Sequence, residues 1–169
     1  MIASLLQALR EPEYVHVLIN PIPVYGLLIA IIGLAIALVQ RSRRAQIATL
    51  ILIALCAISV WPVVHYGEAG YDRALALSDD QGQAWLKVHE HRADEFAWCY
   101  YVLGVIALLA IFLPRKWPKA ATLLALVTLL CSLGVLALGG YIAYAGGRIR
   151  HREFRTELAP PVPAETDDH

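Results

Sequence analysis

Acidic residues are missing from two connections where a chain of 169 residues would be expected to carry some. None of its 14 aspartates and glutamates lies in "RSRR" (41–44) or "PRKWPK" (114–119), which together hold six basic residues. Net charge of either sign is also missing: the formal value is zero, which removes the case for nucleic-acid binding. Cysteine is scarce. Cys56, Cys99 and Cys131 each fall inside an apolar run, and an odd number of such thiols is no disulfide framework, so they read as small core residues. There is no Cys-x-x-Cys-His sequence for covalent haem attachment. The opening "MIASLLQALREPEY" lacks the basic start of a signal peptide, carrying two acids and one arginine, so a cleaved leader is not expected.

Long apolar runs, by contrast, are abundant. Ile22–Val39, Ile47–Val64, Phe96–Leu113 and Ala120–Ala145 contain no charge, and each is at least 18 residues long. About 20 helical residues cross a hydrocarbon core of roughly 30 Å. The expected fold is therefore all-α: an integral membrane antiparallel four-helix bundle with a polar periplasmic cap. Spans are expected at about 15–40, 46–64, 94–114 and 119–146. Residues 1–158 form one domain, and the proline-rich acidic tail 159–169 is expected to be disordered. The two basic connections belong on the cytoplasmic side by the positive-inside rule. That makes a multi-pass protein of the bacterial inner (cytoplasmic) membrane, with both termini periplasmic.

Polar chemistry then segregates to one side. All the acids and all six histidines (His16, His65, His89, His91, His151, His169) fall in the three non-cytoplasmic segments, as do Trp61, Trp85 and Trp98 or the span ends nearest them. Residues 1–11 read as a short amphipathic surface helix with Leu5, Leu6 and Leu9 on one side. "NPIP" (20–23) should kink or delay the first span, and "HYGEAGYD" (65–72) reads as a loop. Ser78 or Asp79 offers an N-cap for a helix that runs from about Gln81 through the third span.

Two constellations could carry chemistry. His91, Asp94, Glu95 and Trp98 are spaced i, i+3, i+4, i+7 on one helix face, a pattern that can bind a metal or orient an imidazole; a solvated helix extension would look the same. His89 lies with Trp85 and Arg92 on a different stripe. On the fourth helix Tyr141, Tyr144, Arg148, His151 and Arg155 share a stripe if the helix continues through Gly146 and Gly147. A bundle brings its helix ends to similar depth, so His16, His65, His91 and His151 are expected neighbours. A b-type haem would use two of these histidines, with Gly139 and Gly140 admitting the macrocycle and Arg148 or Arg150 facing its propionates. A divalent or transition metal would use His91, Asp94, Glu95, His151 and Glu153. Both options stay open, as do scattered interfacial histidines and glycines that merely let helices approach.

"HVLINPIP" (16–23), "EHRADEFAW" (90–98) and "GGRIRHREFR" (146–155) resemble recurring blocks of an uncharacterised family of bacterial four-helix membrane proteins. By position His16, Asn20, His91, Arg150, His151 and Glu153 match the family's blocks, while Pro21 stands where that family usually has a second histidine. The resemblance implies an architecture and no activity. Three functions follow as expectations: an accessory subunit of a membrane electron-transfer complex, docking other membrane subunits and the lipid bilayer; a haem- or metal-binding redox protein in its own right; and a transporter, the weakest because no charge sits mid-span.

Overall fold

The computed structural model describes residues 2–162, and every regular element among them is helical. In chain order these are α1 (Ile2–Ala8), α2 (Pro12–Ile19), α3 (Leu27–Val39), α4 (Arg43–Ile58), α5 (Val60–Ala69), α6 (Tyr71–Ala76), α7 (Asp80–Phe112) and α8 (Ala121–Arg150). All but α1 and α6 fall in four stretches long and apolar enough to cross a membrane: Pro12–Val39, Arg43–Ala69, Asp80–Arg115 and Pro118–Arg150.

Proline shapes two of these stretches without ending them. Pro21 and Pro23 have no N–H to give the preceding turn, and the chain passes them through a wide π-type turn, Ile22–Gly26, before resuming as α3. Pro62 falls in the first turn of α5, where a missing N–H costs nothing, so the break lies at Ser59. The segment expected to be a loop after Pro62 is helical instead, as the end of α5 and the start of α6. The long third helix starts as expected at Asp79, whose carboxylate accepts from the Gly82 N–H at 2.8 Å.

The core between the helices is built largely of small residues. Ala30, Ala37, Ala57, Ala107, Ala110 and Ala125 are at most 1% exposed, interleaved with Leu27, Leu34, Leu50, Ile53 and Leu103. Large apolar side chains point outward instead: Ile29, Leu55, Ile58, Val105 and Leu130 are all exposed. Close packing of small residues, with bulky ones facing out, suits helices that associate by dispersion in an apolar solvent. Thr128 and Ser132, fully buried, satisfy their hydroxyls on α8's own carbonyls at 2.8 and 2.7 Å. Cys56 lies in this core, with Cys99 and Cys131 packed against it. At the end bearing the basic connections, Arg43 donates to Ala110 O at 2.8 Å, placing a cation on the negative end of α7.

The opposite, polar end has a second small core of Trp85, Val88 and Ala145. Ala159 and Val162 pack on it, so the start of the expected disordered tail is docked; residues 163–169, His169 among them, lie outside the described residues. Arg155 locks this end. Its guanidinium donates to the Asp79 carboxylate at 2.7 and 2.9 Å and to Arg148 O and Ile149 O at 2.7 and 2.6 Å. It thereby joins the carbonyl end of α8 to the N-cap of α7. Arg152 also pairs with Asp79, at 2.8 Å. Both tail arginines therefore answer Asp79.

The Gly82 N–H, and then Arg155 and Arg152, hold the Asp79 carboxyl below its ordinary range. A carboxyl lowered in the fold stabilises it above the unfolded value, and that contribution fades as the pH falls through the lowered one. The joint should thus be intact at neutral pH and open only in acid, below about pH 4. Hydrogen-exchange protection of residues 151–158 should vanish there, and Arg155→Ala should remove it at neutral pH. Unchanged protection in Arg155→Ala would show that the joint does not hold this segment.

Candidate functional site

At the polar end, α2, α5, α7 and α8 enclose a cavity of about 600 Å3. On α7 its lining runs from Leu86 to Tyr100, about 21 Å of helix at 1.5 Å per residue. It is a deep slot along the bundle. Glu13 of α2 and Arg73 of α6 stand at its mouth, paired at 2.8 Å, and Arg73 pairs with Glu11 as well. Arg150 lines it from α8 and donates to Leu77 O at 3.3 Å. Deeper in, Ala93, Ala97 and Ala143 keep the walls thin. At the far end the Tyr100 hydroxyl sits against Gly139, which has no side chain to displace it.

Two imidazoles meet edge-on in the middle. His16 and His89 have ring centroids 6.2 Å apart, with planes nearly perpendicular at 85°. Each is held by a carbonyl from a different helix: His16 Nδ1 lies 2.8 Å from Val63 O of α5, and His89 Nδ1 lies 3.0 Å from Ile142 O of α8. A carbonyl oxygen carries no proton, so in each pair the Nδ1 must be the donor. Arg92, buried on the neighbouring stripe, donates to the adjacent carbonyl of Tyr141 at 2.9 Å and stacks over its ring at 3.6 Å.

Compared with protein-family models, characterised proteins and solved structures, the chain matches none.

Of the four histidines expected to converge, only His16 lines the cavity, and its partner is His89. His65 is exposed and stacks on Trp61, centroids 5.8 Å apart. His91 is exposed, outside the lining, on the far side of α7 from His89. The fourth helix stops at Arg150, and His151 takes an extended conformation, so the expected stripe is broken before it. His151 is exposed, bonded to Glu153 at 2.9 Å and stacked on Phe154. The backbone N–H and His151 hold the Glu153 carboxyl below its ordinary range.

The carboxylates divide similarly. Asp94 lines the cavity while Glu95 is exposed outside it. Among the described residues no three His, Cys, Asp or Glu side chains stand close enough to hold a metal ion, so the set His91, Asp94, Glu95, His151 and Glu153 is not assembled. Arg148 lies away from the slot, its guanidinium over Tyr144 at 3.5 Å and Trp85 at 5.3 Å, whereas Arg150 does line it. Gly139 and Gly146 both touch cavity rings; a side chain at Gly140 would meet nothing within 4 Å.

In the sequence His91, Asp94 and Glu95 form the denser polar cluster, whereas the face of α7 that lines the cavity carries His89 and Asp94. The signal for the inner face was quieter: His89, Ala93, Ala97 and Tyr100, a stripe of small residues bounded by two polar rings at i, i+4, i+8, i+11.

Proposed function

We propose that the chain is an antiparallel four-helix bundle of the bacterial inner membrane, with its polar end and both termini periplasmic, that holds a b-type haem between His16 and His89. Its setting is a membrane electron-transfer complex, in which it serves as an accessory subunit. The opposed imidazole pair carries the reading. A separation of 6.2 Å between ring centres agrees with two metal–nitrogen bonds of about 2 Å plus the two ring radii. Anchoring of the second ring nitrogen to a carbonyl is the usual support of a metal-binding histidine.

Haem is favoured over a bare ion by ligand count. A protein site for zinc-like ions supplies three or four ligands, whereas haem brings four nitrogens and needs only two axial ones. The slot's thin alanine and glycine walls suit a flat macrocycle, and Arg73 and Arg150 at the rim suit its carboxylates. The block resemblance and the one-sided charge map support the membrane setting.

The detergent-purified full-length protein should show a Soret band with haem near one equivalent. Colourless, metal-free protein would sink the cofactor reading. For orientation, an impermeant maleimide should label Thr156→Cys in intact cells and leave Lys116→Cys unlabelled until the membrane is breached. The reverse pattern would overturn the topology.

A further inference from the structure

The same local arrangement occurs twice around the slot. His16 Nδ1 bonds to Val63 O, and Gly67 stands four residues on in α5; His89 Nδ1 bonds to Ile142 O, and Gly146 stands four residues on in α8. A helical carbonyl points along the axis toward residue i+4, so the side chain there normally shields it. Glycine removes the shield. A Cβ built on Gly67 would come within 3.0 Å of His16 Nδ1 and 3.1 Å of its Cε1; one on Gly146 would come within 3.1 Å of the same two atoms of His89. To admit that methyl group, each ring would have to shift by a few tenths of an ångström on its carbonyl bond.

We propose that Gly67 and Gly146 are the positioning residues of the site: each opens a helix carbonyl to one imidazole, fixing both histidines as Nδ1–H tautomers with bare Nε2 lone pairs for a metal centre. This deepens the haem reading and rests on it for the nature of the ligand. The Nδ1–H tautomers follow from the two carbonyl bonds whatever the ligand is. Among the described residues no third His, Cys, Asp or Glu completes a metal-holding group with the two imidazoles, which matches a centre that keeps its other ligands, such as the iron of haem. A bare transition metal ion would meet the same two nitrogens.

The test uses the full chain in detergent, with the imidazole nitrogens of His16 and His89 followed by 15N NMR before and after addition of haem, and separately of Zn2+ alone. In the unliganded protein both Nδ1 should carry the proton. Gly67→Ala should abolish that state for His16 and Gly146→Ala for His89, each weakening haem retention about 10–100-fold, the range for lost support of a ligating histidine. Gly134→Ala and Gly140→Ala, where a Cβ meets nothing within 4 Å, should change neither readout, and helix content should match wild type in all four.

Nε2-protonated imidazoles in the wild type would overturn the proposal even if haem binds. Alanine variants with unchanged tautomers and unchanged retention would overturn it too. Nδ1–H tautomers that respond to the alanines, in a protein that takes up zinc and no haem, would support the glycine assignment and sink the haem reading.

Discussion

His89→Ala should abolish the Soret band of the purified protein, and His16→Ala should do the same, while His91→Ala and His151→Ala leave it unchanged. The four histidines lie at the same end of the bundle, and His89 and His91 are two residues apart. Two residues turn an α-helix by about 200°, so one imidazole lies in the slot opposite His16 and the other lies in solvent. Were haem held as proposed, losing His89 would remove one of its two protein bonds and leave the Ile142 carbonyl of α8 unused. Retention should fall at least tenfold, with visible absorbance of equal protein loadings as the measure. Loss of the band in His91→Ala with retention in His89→Ala would return the site to the outer stripe.

Trp85→Ala should be the most damaging single change at the polar end outside the slot. The indole is 1% exposed at the centre of the second core. It lies edge-on to Tyr144 at 6.1 Å and beneath the Arg148 guanidinium. Emptying a fully buried tryptophan site costs about 3–5 kcal/mol. The damage should be local, because this core joins the first turns of α7 to the end of α8 and to residues 159–162, apart from the helix core that holds Leu27 and Leu103. Hydrogen exchange should quicken at residues 80–90 and 145–160 and stay slow in the mid-spans. The indole N–H has no hydrogen-bond partner among the described residues, so Trp85→Phe should cost less than about 1.5 kcal/mol. A phenylalanine variant as unstable as the alanine one would mean that the N–H, and not the packing, holds this end.

The four long helices were legible because the signal is one-dimensional: uncharged runs of spanning length interrupted by charge need no knowledge of neighbours. Asp79 was legible for the same reason, as an N-cap bonds only three residues ahead. The irregularity expected at "NPIP" is present, and the loop expected at "HYGEAGYD" is helix instead. Pro62 and "NPIP" mark real irregularities, but a lost N–H is absorbed by a first turn or a wide turn as easily as by a loop. Arg155 was placed on the polar face without its partner, since Asp79 lies 76 residues away.

What the sequence determined by itself is the depth of each group: which residues lie at the polar end and which lie between the charged connections. It did not determine rotation about the helix axis. That angle decides between His89 and His91, and it is set by which small residues of α5 and α8 let a neighbouring helix come close. The carbonyls of Val63 and Ile142 are chemically ordinary in the sequence. Only the packing of Gly67 and Gly146 against two imidazoles makes them different from the rest.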